Sequence, residues 1–546
     1  MEKAQLQGVL VQPEEHGLEH GDAGNPPAIE RPVEPRPGIE RGFEDGCLGG
    51  WPPGLPARDI ERRIHELQPG GPGDEDALNP LPTLDSPDGR DFVAPEGPVL
   101  HHGRSMWLPL RIRNRAIAYH FWMDLSAYPL EEIAAKVGTP FYFYDASILD
   151  AKLGELAALT DGPGLVCRYA VKANSSHKVL EAAKRHGMWI DAVSGNEVLR
   201  AKRAGFAMGH DPAVVMYTAD VFRDNALQVV VENGVLPNVG SPGMIGELAG
   251  AGYRGPIALR INPGFGHGHV QACDTGGPSS KHGVWYEDHL EAKRLADDAG
   301  FPVVALHAHV GTGPQIREFD ENMKKLVGLF AHLLPQYPDA QSVNLGGGIP
   351  HPYKPNAEPY PLDEYRGILL DGVRQLTAAA ERPIGIEIEP GRYPVAGMAL
   401  LVSRVKDIKA TRTNEKGPGH QFIMVDAGFN DLIRPAMYGS YHKISIVGQG
   451  RNRPTEPFVV AGPLCESGDV FTRDDQELLQ PRDLPRPEPG DLLVLHDAGA
   501  YGTAMSSNYV SLGRAAQVFW EGGRASLVSR RETIDDVVRL ERDEAL

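Results

Sequence analysis

The sequence has few cysteines, a deficit of basic residues and no long apolar run. Its 546 residues include four cysteines, which are too few for the disulfide framework of a secreted scaffold. No apolar run reaches the roughly 20 residues that a membrane-spanning helix needs, and the polar N-terminus does not resemble a signal peptide. With 54 basic and 73 acidic residues the net charge is −19, which argues against a nucleic-acid backbone as the main partner. We therefore expect a soluble cytoplasmic protein with no membrane or nucleic-acid partner.

The first hundred residues differ in composition from the rest of the chain. They hold 16 of the 47 prolines and 15 of the 63 glycines, and 8 basic against 20 acidic residues. Such a segment cannot bury enough apolar surface to offset its conformational entropy. The composition predicts a disordered extension over residues 1–104, with an acidic recruiting arm as the alternative.

Eight short β-branched runs then alternate with helical stretches, which is the pattern of a parallel α/β fold. We predict strands at Leu165–Ala170, Trp189–Val193, Ala213–Tyr217, Val235–Val239, Ile257–Ile261, Val303–His309, Ser342–Leu345 and Ile384–Ile388. Eight strands suit a (β/α)8 TIM-type barrel over residues 146–394, although an open doubly wound sheet fits the strand number almost as well. Polar groups follow most of the runs, and a barrel would gather them at one mouth. The barrel is therefore the preferred prediction.

The segments outside the barrel alternate apolar and polar residues between glycine and proline turns. This pattern predicts a second, mostly antiparallel β domain built from residues 105–145 and 395–528. Two early runs, Trp107–Ile112 and Phe141–Asp145, look like strands that join it. Residues 529–546 form a charged tail, helical or frayed.

Three groups at the predicted mouth suggest chemistry. Lys172 follows the first strand, where desolvation would disfavour its charge and make its amine nucleophilic, although a surface lysine is the commoner case. Gly346–Gly348 follow the seventh strand, where barrels often bind phosphate through backbone N–H groups. Without the neighbouring motifs, a triple glycine would indicate no more than a loop. Glu389 and Arg392 follow the eighth and offer a carboxylate and an anion clamp, unless they form a structural ion pair.

Two histidines, His307 and His309, share one face of a predicted strand. They could ligate zinc with His267 and His269, but no acidic or cysteine partner has ligand spacing. We therefore predict no metal and expect His309 to stack on a planar cofactor.

The motifs occur in an order that resembles a known family. They are Tyr169–Asn174 (YAVKAN), His309–Thr312 (HVGT), Gly346–Gly348, Glu389–Arg392 (EPGR), Cys465–Ser467 (CES) and Asp497–Tyr501 (DAGAY). Over roughly residues 138–525 the chain is similar to the pyridoxal-phosphate-dependent decarboxylases of the alanine-racemase-like fold, most closely to those acting on diaminopimelate. The resemblance implies pyridoxal 5′-phosphate (PLP) as cofactor.

The resemblance also implies roles for individual residues. Lys172 would bind the coenzyme aldehyde, His309 would stack on its ring, and Glu389 would pair with the ring nitrogen. That carboxylate keeps the ring cationic and so favours decarboxylation over racemisation. The remaining cofactor-binding residues would be Gly347, Gly348, Gly391, Arg392 and Tyr501.

A cysteine motif carries the expected proton donor. Cys465 would protonate the carbanion after CO2 leaves, whereas a lone cysteine is usually buried and inert. In the family this segment enters the site of the neighbouring subunit, which implies a homodimer with shared active sites.

The substrate is expected to be meso-2,6-diaminopimelate, with L-lysine as product. By the same resemblance, Arg392, Arg434 and Tyr438 would hold the distal carboxylate and Glu466 the distal ammonium, and the Tyr501 hydroxyl would also contact the substrate. A buried guanidinium pair would disfavour a cationic amine. Two alternatives stay open: a related decarboxylase acting on another diamino acid (ornithine, lysine or their D-isomers, or carboxynorspermidine), and a catalytically dead regulatory paralogue.

Overall fold

The computed structural model describes residues 123–266, 268, 273–311 and 315–544. The predicted extension over residues 1–104 and the predicted strand Trp107–Ile112 lie outside these residues, and so do His267, His269 and Thr312. None of the described helices is long and apolar enough to cross a membrane. The described residues include no group of three or more histidine, cysteine, aspartate or glutamate side chains that could hold a metal ion.

Eight parallel strands close into a barrel, as predicted. In chain order they are β2 (Leu165–Ala170), β3 (Trp189–Ala192), β4 (Val215–Ala219), β5 (Leu236–Val239), β6 (Ile257–Asn262), β8 (Val303–His307), β9 (Ser342–Asn344) and β10 (Gly385–Ile388). Each pairs with its neighbours, and the β5–β6 and β10–β2 pairings complete the ring. An open sheet has two free edges, so the closed ring excludes the doubly wound alternative. A short strand β7 (Val284–Trp285) pairs parallel with the last two residues of β6, Ile261 and Asn262.

Helices cover the barrel and connect its strands. The α-helices are α1 (Leu130–Val137), α2 (Ala146–Leu159), α3 (His177–Arg185), α4 (Gly195–Arg203), α5 (Ala226–Asn233), α6 (Pro242–Gly250), α7 (His289–Asp298), α8 (Ile316–Leu333), α9 (Leu362–Ala380), α10 (Arg392–Val395), α11 (Arg434–Tyr438) and α12 (Ile534–Val538). At the start of α4, the Ser194 side chain accepts a hydrogen bond from the Glu197 N–H and caps the helix. Helix α12 gives the charged tail a short helical segment.

A second sheet is mixed but mostly antiparallel. Its strands are β1 (Phe141–Asp145), β11 (Ala399–Ala410), β12 (Gln421–Val425), β13 (Ile444–Ile446), β14 (Thr455–Ala461), β15 (Arg482–Pro485), β16 (Leu492–Leu495), β17 (Ala516–Glu521) and β18 (Arg524–Ser529). The main path runs β15-β14-β12-β11-β1-β17-β18, and β16 joins β11 to β13. Strand β1 pairs antiparallel with β11 and parallel with β17, which confirms that Phe141–Asp145 joins this sheet.

One buried ion pair ties the interior of the barrel together. Arg168 is 1% exposed, and its Nε lies 2.5 Å from a carboxylate oxygen of Glu387 on β10. Its Nη1 donates to the carbonyl of Ala213 at 2.9 Å. Because Ser342 also donates to Glu387, strands β2, β9 and β10 are linked below the mouth.

Candidate active site

Lys172 lies in a 3-10 turn, Val171–Ala173, directly after β2. Its side chain is 43% exposed, so the amine is open to the mouth of the barrel. Its Nζ is 3.8 Å from Oδ2 of Asp191. Burial of the amine lowers the Lys172 pKa, but the interactions with Asp191, Tyr501 and Glu389 together outweigh burial, and the net pKa is raised. Desolvation therefore disfavours the Lys172 charge as expected, but the neighbouring carboxylates reverse the expected net effect.

Asp191 is a site residue that the sequence analysis did not identify. It lies on β3 and is completely buried, and neither carboxylate oxygen has a hydrogen-bond donor among the described residues. Burial, followed by the charge of Glu389, raises the Asp191 pKa above its usual value. The available signal was a charged residue inside an otherwise apolar run, WIDAV.

Glu389 follows β10 and is buried with two hydrogen-bond donors. His307 Nε2 donates to one carboxylate oxygen at 3.1 Å, and Asn344 Nδ2 donates to the other at 2.7 Å. Burial raises the Glu389 pKa, but the charge and hydrogen bond of His307, together with Lys172 and His309, outweigh burial and the net pKa is lowered. The carboxylate is therefore charged at neutral pH, although it is almost fully buried.

The three glycines after β9 pack where larger residues would not fit. Gly346 and Gly348 have φ values of +69° and +111°, conformations that favour glycine. A Cβ at Gly347 would lie 2.3 Å from the Glu389 carbonyl oxygen, and one at Gly346 would lie 2.7 Å from Cβ of His309. The glycine backbone therefore runs directly between His309 and Glu389.

His309 is placed beside these glycines and is held electrically neutral. Burial lowers its pKa far below the usual value, and the positive charges of Lys172 and Arg260 add to the effect. Thr275 donates a hydrogen bond to its carbonyl oxygen at 2.9 Å. A neutral imidazole is suited to face-to-face contact with a flat aromatic ring.

The backbone that follows β10, the eighth barrel strand, also packs against the turn that carries Lys172. A Cβ at Gly391 would lie 3.1 Å from the Cβ atoms of both Ala170 and Ala173. The Tyr501 N–H donates to the carbonyl of Ala173 at 2.8 Å, which fixes Tyr501 against the same turn. The structure therefore brings Lys172, Gly391 and Tyr501 together.

Two arginines are buried in one part of the mouth. Arg392 is 9% exposed and Arg434 is 2% exposed, and within the described parts of the chain neither forms a salt bridge with a carboxylate. The Arg392 Nη1 donates to the Tyr353 hydroxyl at 2.9 Å, while its buried Nε has no partner among the described residues. The guanidinium carbon of Arg392 also lies 5.0 Å from the Tyr501 ring. A pair of buried cations without an acidic partner is suited to bind an anion.

The surroundings of Arg434 were also missed by the sequence analysis. Its Nη1 donates to Nε2 of His442 at 2.9 Å and its Nη2 to the Ser440 hydroxyl at 3.2 Å. Since arginine only donates, His442 Nε2 is the acceptor, and its Nδ1 donates to the His496 carbonyl at 2.8 Å. Burial and the adjacent Arg434 lower the His442 pKa to about 3. No local motif predicts this contact.

Tyr438 ends helix α11, which begins with Arg434. It is partly buried, and burial raises its pKa. Because Arg434 and Tyr438 are four residues apart in one helix, they lie on the same helical face. The predicted substrate-binding pair is therefore compatible with the local geometry.

Cys465 and Glu466 lie on an exposed loop after β14. Both side chains are exposed, and no described hydrogen bond or ion pair joins them to Lys172. Asp469 holds this loop in place, because its buried carboxylate accepts hydrogen bonds from the N–H groups of Leu464 at 2.8 Å and Phe429 at 2.7 Å. The structure thus presents these two predicted site residues at the surface rather than in the mouth of their own chain.

The described residues fit a PLP molecule. A lysine amine, a charged buried carboxylate and a neutral histidine match the aldehyde, the ring nitrogen and the ring face. The tight glycine backbone and the unpartnered Nε of Arg392 are hydrogen-bond donors of the kind a phosphate needs. Each part of the cofactor therefore has a chemically matching partner in the mouth.

Comparison with known proteins defines the class of protein. Residues 156–396 match the family model described as pyridoxal-dependent decarboxylase, pyridoxal binding domain. With the closed barrel and its lysine-bearing mouth, this match defines a pyridoxal-dependent amino-acid decarboxylase of the alanine-racemase-like fold. The diaminopimelate decarboxylase of Streptomyces coelicolor is 39% identical over 418 residues, which is 76% of this chain and 91% of that protein. The Escherichia coli K12 enzyme is 38% identical over 77% of this chain and 97% of its own length. The chain therefore belongs to the diaminopimelate decarboxylase family.

Solved structures agree with this assignment. A crystal structure of a diaminopimelate decarboxylase matches with a TM-score of 0.69 and 37% identity, covering 75% of this chain and 95% of that one. The Helicobacter pylori diaminopimelate decarboxylase, crystallised with L-lysine, matches with a TM-score of 0.66 and 28% identity over 75% of this chain and 98% of that chain. The similarity thus includes both the barrel and the second sheet.

Proposed function

We propose that the chain decarboxylates meso-2,6-diaminopimelate to L-lysine and CO2 as a step of lysine biosynthesis, using PLP. The observation that carries the proposal is the buried pair Arg392 and Arg434, which lacks an acidic partner among the described residues. Such a pair needs an anion, and a diamino acid with a second, distal carboxylate supplies one. Relatives bearing this enzyme name over nearly their whole length support the choice.

The cofactor would be held by Lys172, His309, Gly347, Gly348, Glu389, Gly391, Arg392 and Tyr501. When bound, PLP supplies an electron sink for the carbanion that remains after CO2 loss. Glu389 remains charged because of its two donors, and so it can hold a proton on a ring nitrogen opposite. Lys172 must lose its extra proton before it can bind an aldehyde, and Asp191 Oδ2, 3.8 Å away, is placed to orient its amine.

The distal end of the substrate would be bound by Arg392, Arg434 and Tyr438. A cationic amine at this end would face two buried positive charges without compensation, which disfavours ornithine and lysine as substrates. Glu466 would bind the distal ammonium. Its exposed position means that it would act in the site of a second copy of the chain.

We propose that the active form is a homodimer that shares its active sites. Cys465 would enter the partner's barrel mouth and donate the proton that replaces the lost carboxylate. Support comes from the exposed Cys465 and Glu466 on a loop that is firmly held by Asp469. A thiol fixed in this way can reach a neighbouring molecule without unfolding its own loop.

The purified chain, loaded with PLP, tests the reaction directly. We expect CO2 and L-lysine in equal amounts from meso-diaminopimelate, and little CO2 from L-ornithine, L-lysine or their D-isomers. CO2 is measured by a coupled assay and the products by mass spectrometry. Faster turnover of ornithine or lysine than of diaminopimelate would refute the substrate assignment.

A further inference from the structure

The residue that contacts both buried arginines is Tyr353, on the loop after β9. Its ring centroid is 5.7 Å from the guanidinium carbon of Arg392 and 4.9 Å from that of Arg434. Its hydroxyl accepts a hydrogen bond from Arg392 Nη1 at 2.9 Å. Tyr353 therefore contacts both arginines, and it is not among the predicted site residues.

Two buried cations close to the same ring raise each other's energy. Burial is the main cause that lowers the Arg434 pKa, and the positive charge of Arg392 lowers it further. Tyr353 acts in the opposite direction and raises this pKa. An aromatic face attracts a cation through its quadrupole, and the tyrosine oxygen partly satisfies Arg392. Tyr353 thus offsets part of the repulsion without adding the negative charge that would compete with a bound anion.

The tyrosine is itself held by two histidines. Its ring packs edge-on against His351, with centroids 4.6 Å apart, and against His442, with centroids 5.5 Å apart. His351 Nε2 lies 3.1 Å from a carboxylate oxygen of Asp497, and His442 accepts from Arg434. Both histidines therefore restrain the ring, which in turn packs against the two guanidinium groups.

We propose that Tyr353 is a positioning residue that keeps Arg392 and Arg434 spaced to bind the distal carboxylate, and so makes the site selective for a substrate with two carboxylates. This role deepens the proposed function and rests on it. Tyr353 acts through the arginines and takes no part in bond breaking. Its removal should therefore weaken ligands that carry the distal carboxylate and spare those that lack it.

The test compares the binding of L-lysine with that of cadaverine, which is lysine without its carboxylate, by calorimetry on the PLP-loaded protein. Tyr353→Leu removes the ring and the hydroxyl, and we expect L-lysine to bind at least about tenfold more weakly, with cadaverine changed less than about twofold. Tyr353→Phe keeps the ring, and we expect a loss of about threefold or more for L-lysine only. With meso-diaminopimelate, KM should rise more than kcat falls.

Tyr360→Phe is the matched control. Tyr360 lies on the same loop, is buried and donates its hydroxyl hydrogen bond to Asp320 rather than to either arginine. Its loss should leave the ratio of L-lysine to cadaverine affinity unchanged. An unchanged ratio in Tyr353→Leu, or in Tyr353→Phe if the leucine variant does not fold, would overturn the proposal, as would equal weakening of both ligands. Wild-type turnover tests the reaction separately, so the two failures can be told apart.

Discussion

Replacing Arg434 by methionine tests the anion site directly. Arg434 is 2% exposed and donates to His442 and Ser440. A hydrogen bond to a charged group contributes about 1.5–3 kcal/mol, so its loss should lower kcat/KM for meso-diaminopimelate by about 10- to 150-fold. Most of this change should appear in KM, because the distal carboxylate is equally charged before and during the reaction. Methionine fills similar volume and places no unpaired charge in the pocket.

Stability is the necessary control for this variant. The change leaves His442 Nε2 without its donor, but it also removes the repulsion from Arg392, so we expect the melting temperature to fall by only a few degrees. The absorbance of the bound cofactor should be retained, which separates a substrate effect from loss of PLP. Arg434→Lys keeps the charge but not the planar fork, and it should be intermediate. Wild-type kcat/KM in the methionine variant would refute the role of Arg434.

Three further predictions concern the lysine, the buried ion pair and pH. Lys172→Ala should abolish turnover and the visible absorbance of bound PLP. If a dimer shares its sites, mixing this variant with Cys465→Ala should restore about a quarter of wild-type activity. No recovery of activity in proven mixed dimers would contradict the sharing of sites. Arg168→Met should lower the free energy of unfolding by about 3–5 kcal/mol, measured by urea unfolding, because Glu387 stays buried without its ion-pair partner. Adding Glu387→Leu to this variant should recover most of the lost stability. An equal loss of stability in the single and double variants would show that the ion pair is not the cause. His442 has a folded pKa of about 3, below its unfolded value, so the unfolded chain binds more protons as the pH falls below about 6.5. The free energy of unfolding should therefore drop by about 2 kcal/mol more between pH 7 and 5 than in His442→Gln, and equal pH slopes would argue against a neutral buried histidine.

Much of the fold could be predicted because it depends on local patterns. All eight barrel strands form where apolar runs were found, and strand β2 has the predicted ends, Leu165–Ala170. The other strand ends differ by one or two residues, as at Val215–Ala219, because strand pairing rather than composition ends them. Closure of the sheet does not follow from the number of strands, because eight strands can also form an open sheet.

The candidate site could be predicted in part. Lys172 follows β2, whereas Glu389 and Arg392 both follow β10, and closure of the barrel pairs these two strands, which come from its opposite ends in the chain. Asp191 was missed because a carboxylate within a strand gives no sign of whether it faces the interior. The raised pKa of Lys172 was missed for the same reason, since it depends on that carboxylate.

The sequence by itself determined the class of fold and the chemical groups at the strand ends, because both follow from short-range patterns of apolar, glycine and charged residues. Only the tertiary structure decided which groups meet. It placed Tyr353, from the loop after β9, close to both Arg392, which follows β10, and Arg434, which lies between β12 and β13 of the second sheet, and it placed His442 against Arg434. It also left Cys465 and Glu466 exposed. Contacts between residues far apart in the chain depend on how the strands close and pack, and local periodicity carries no information about them.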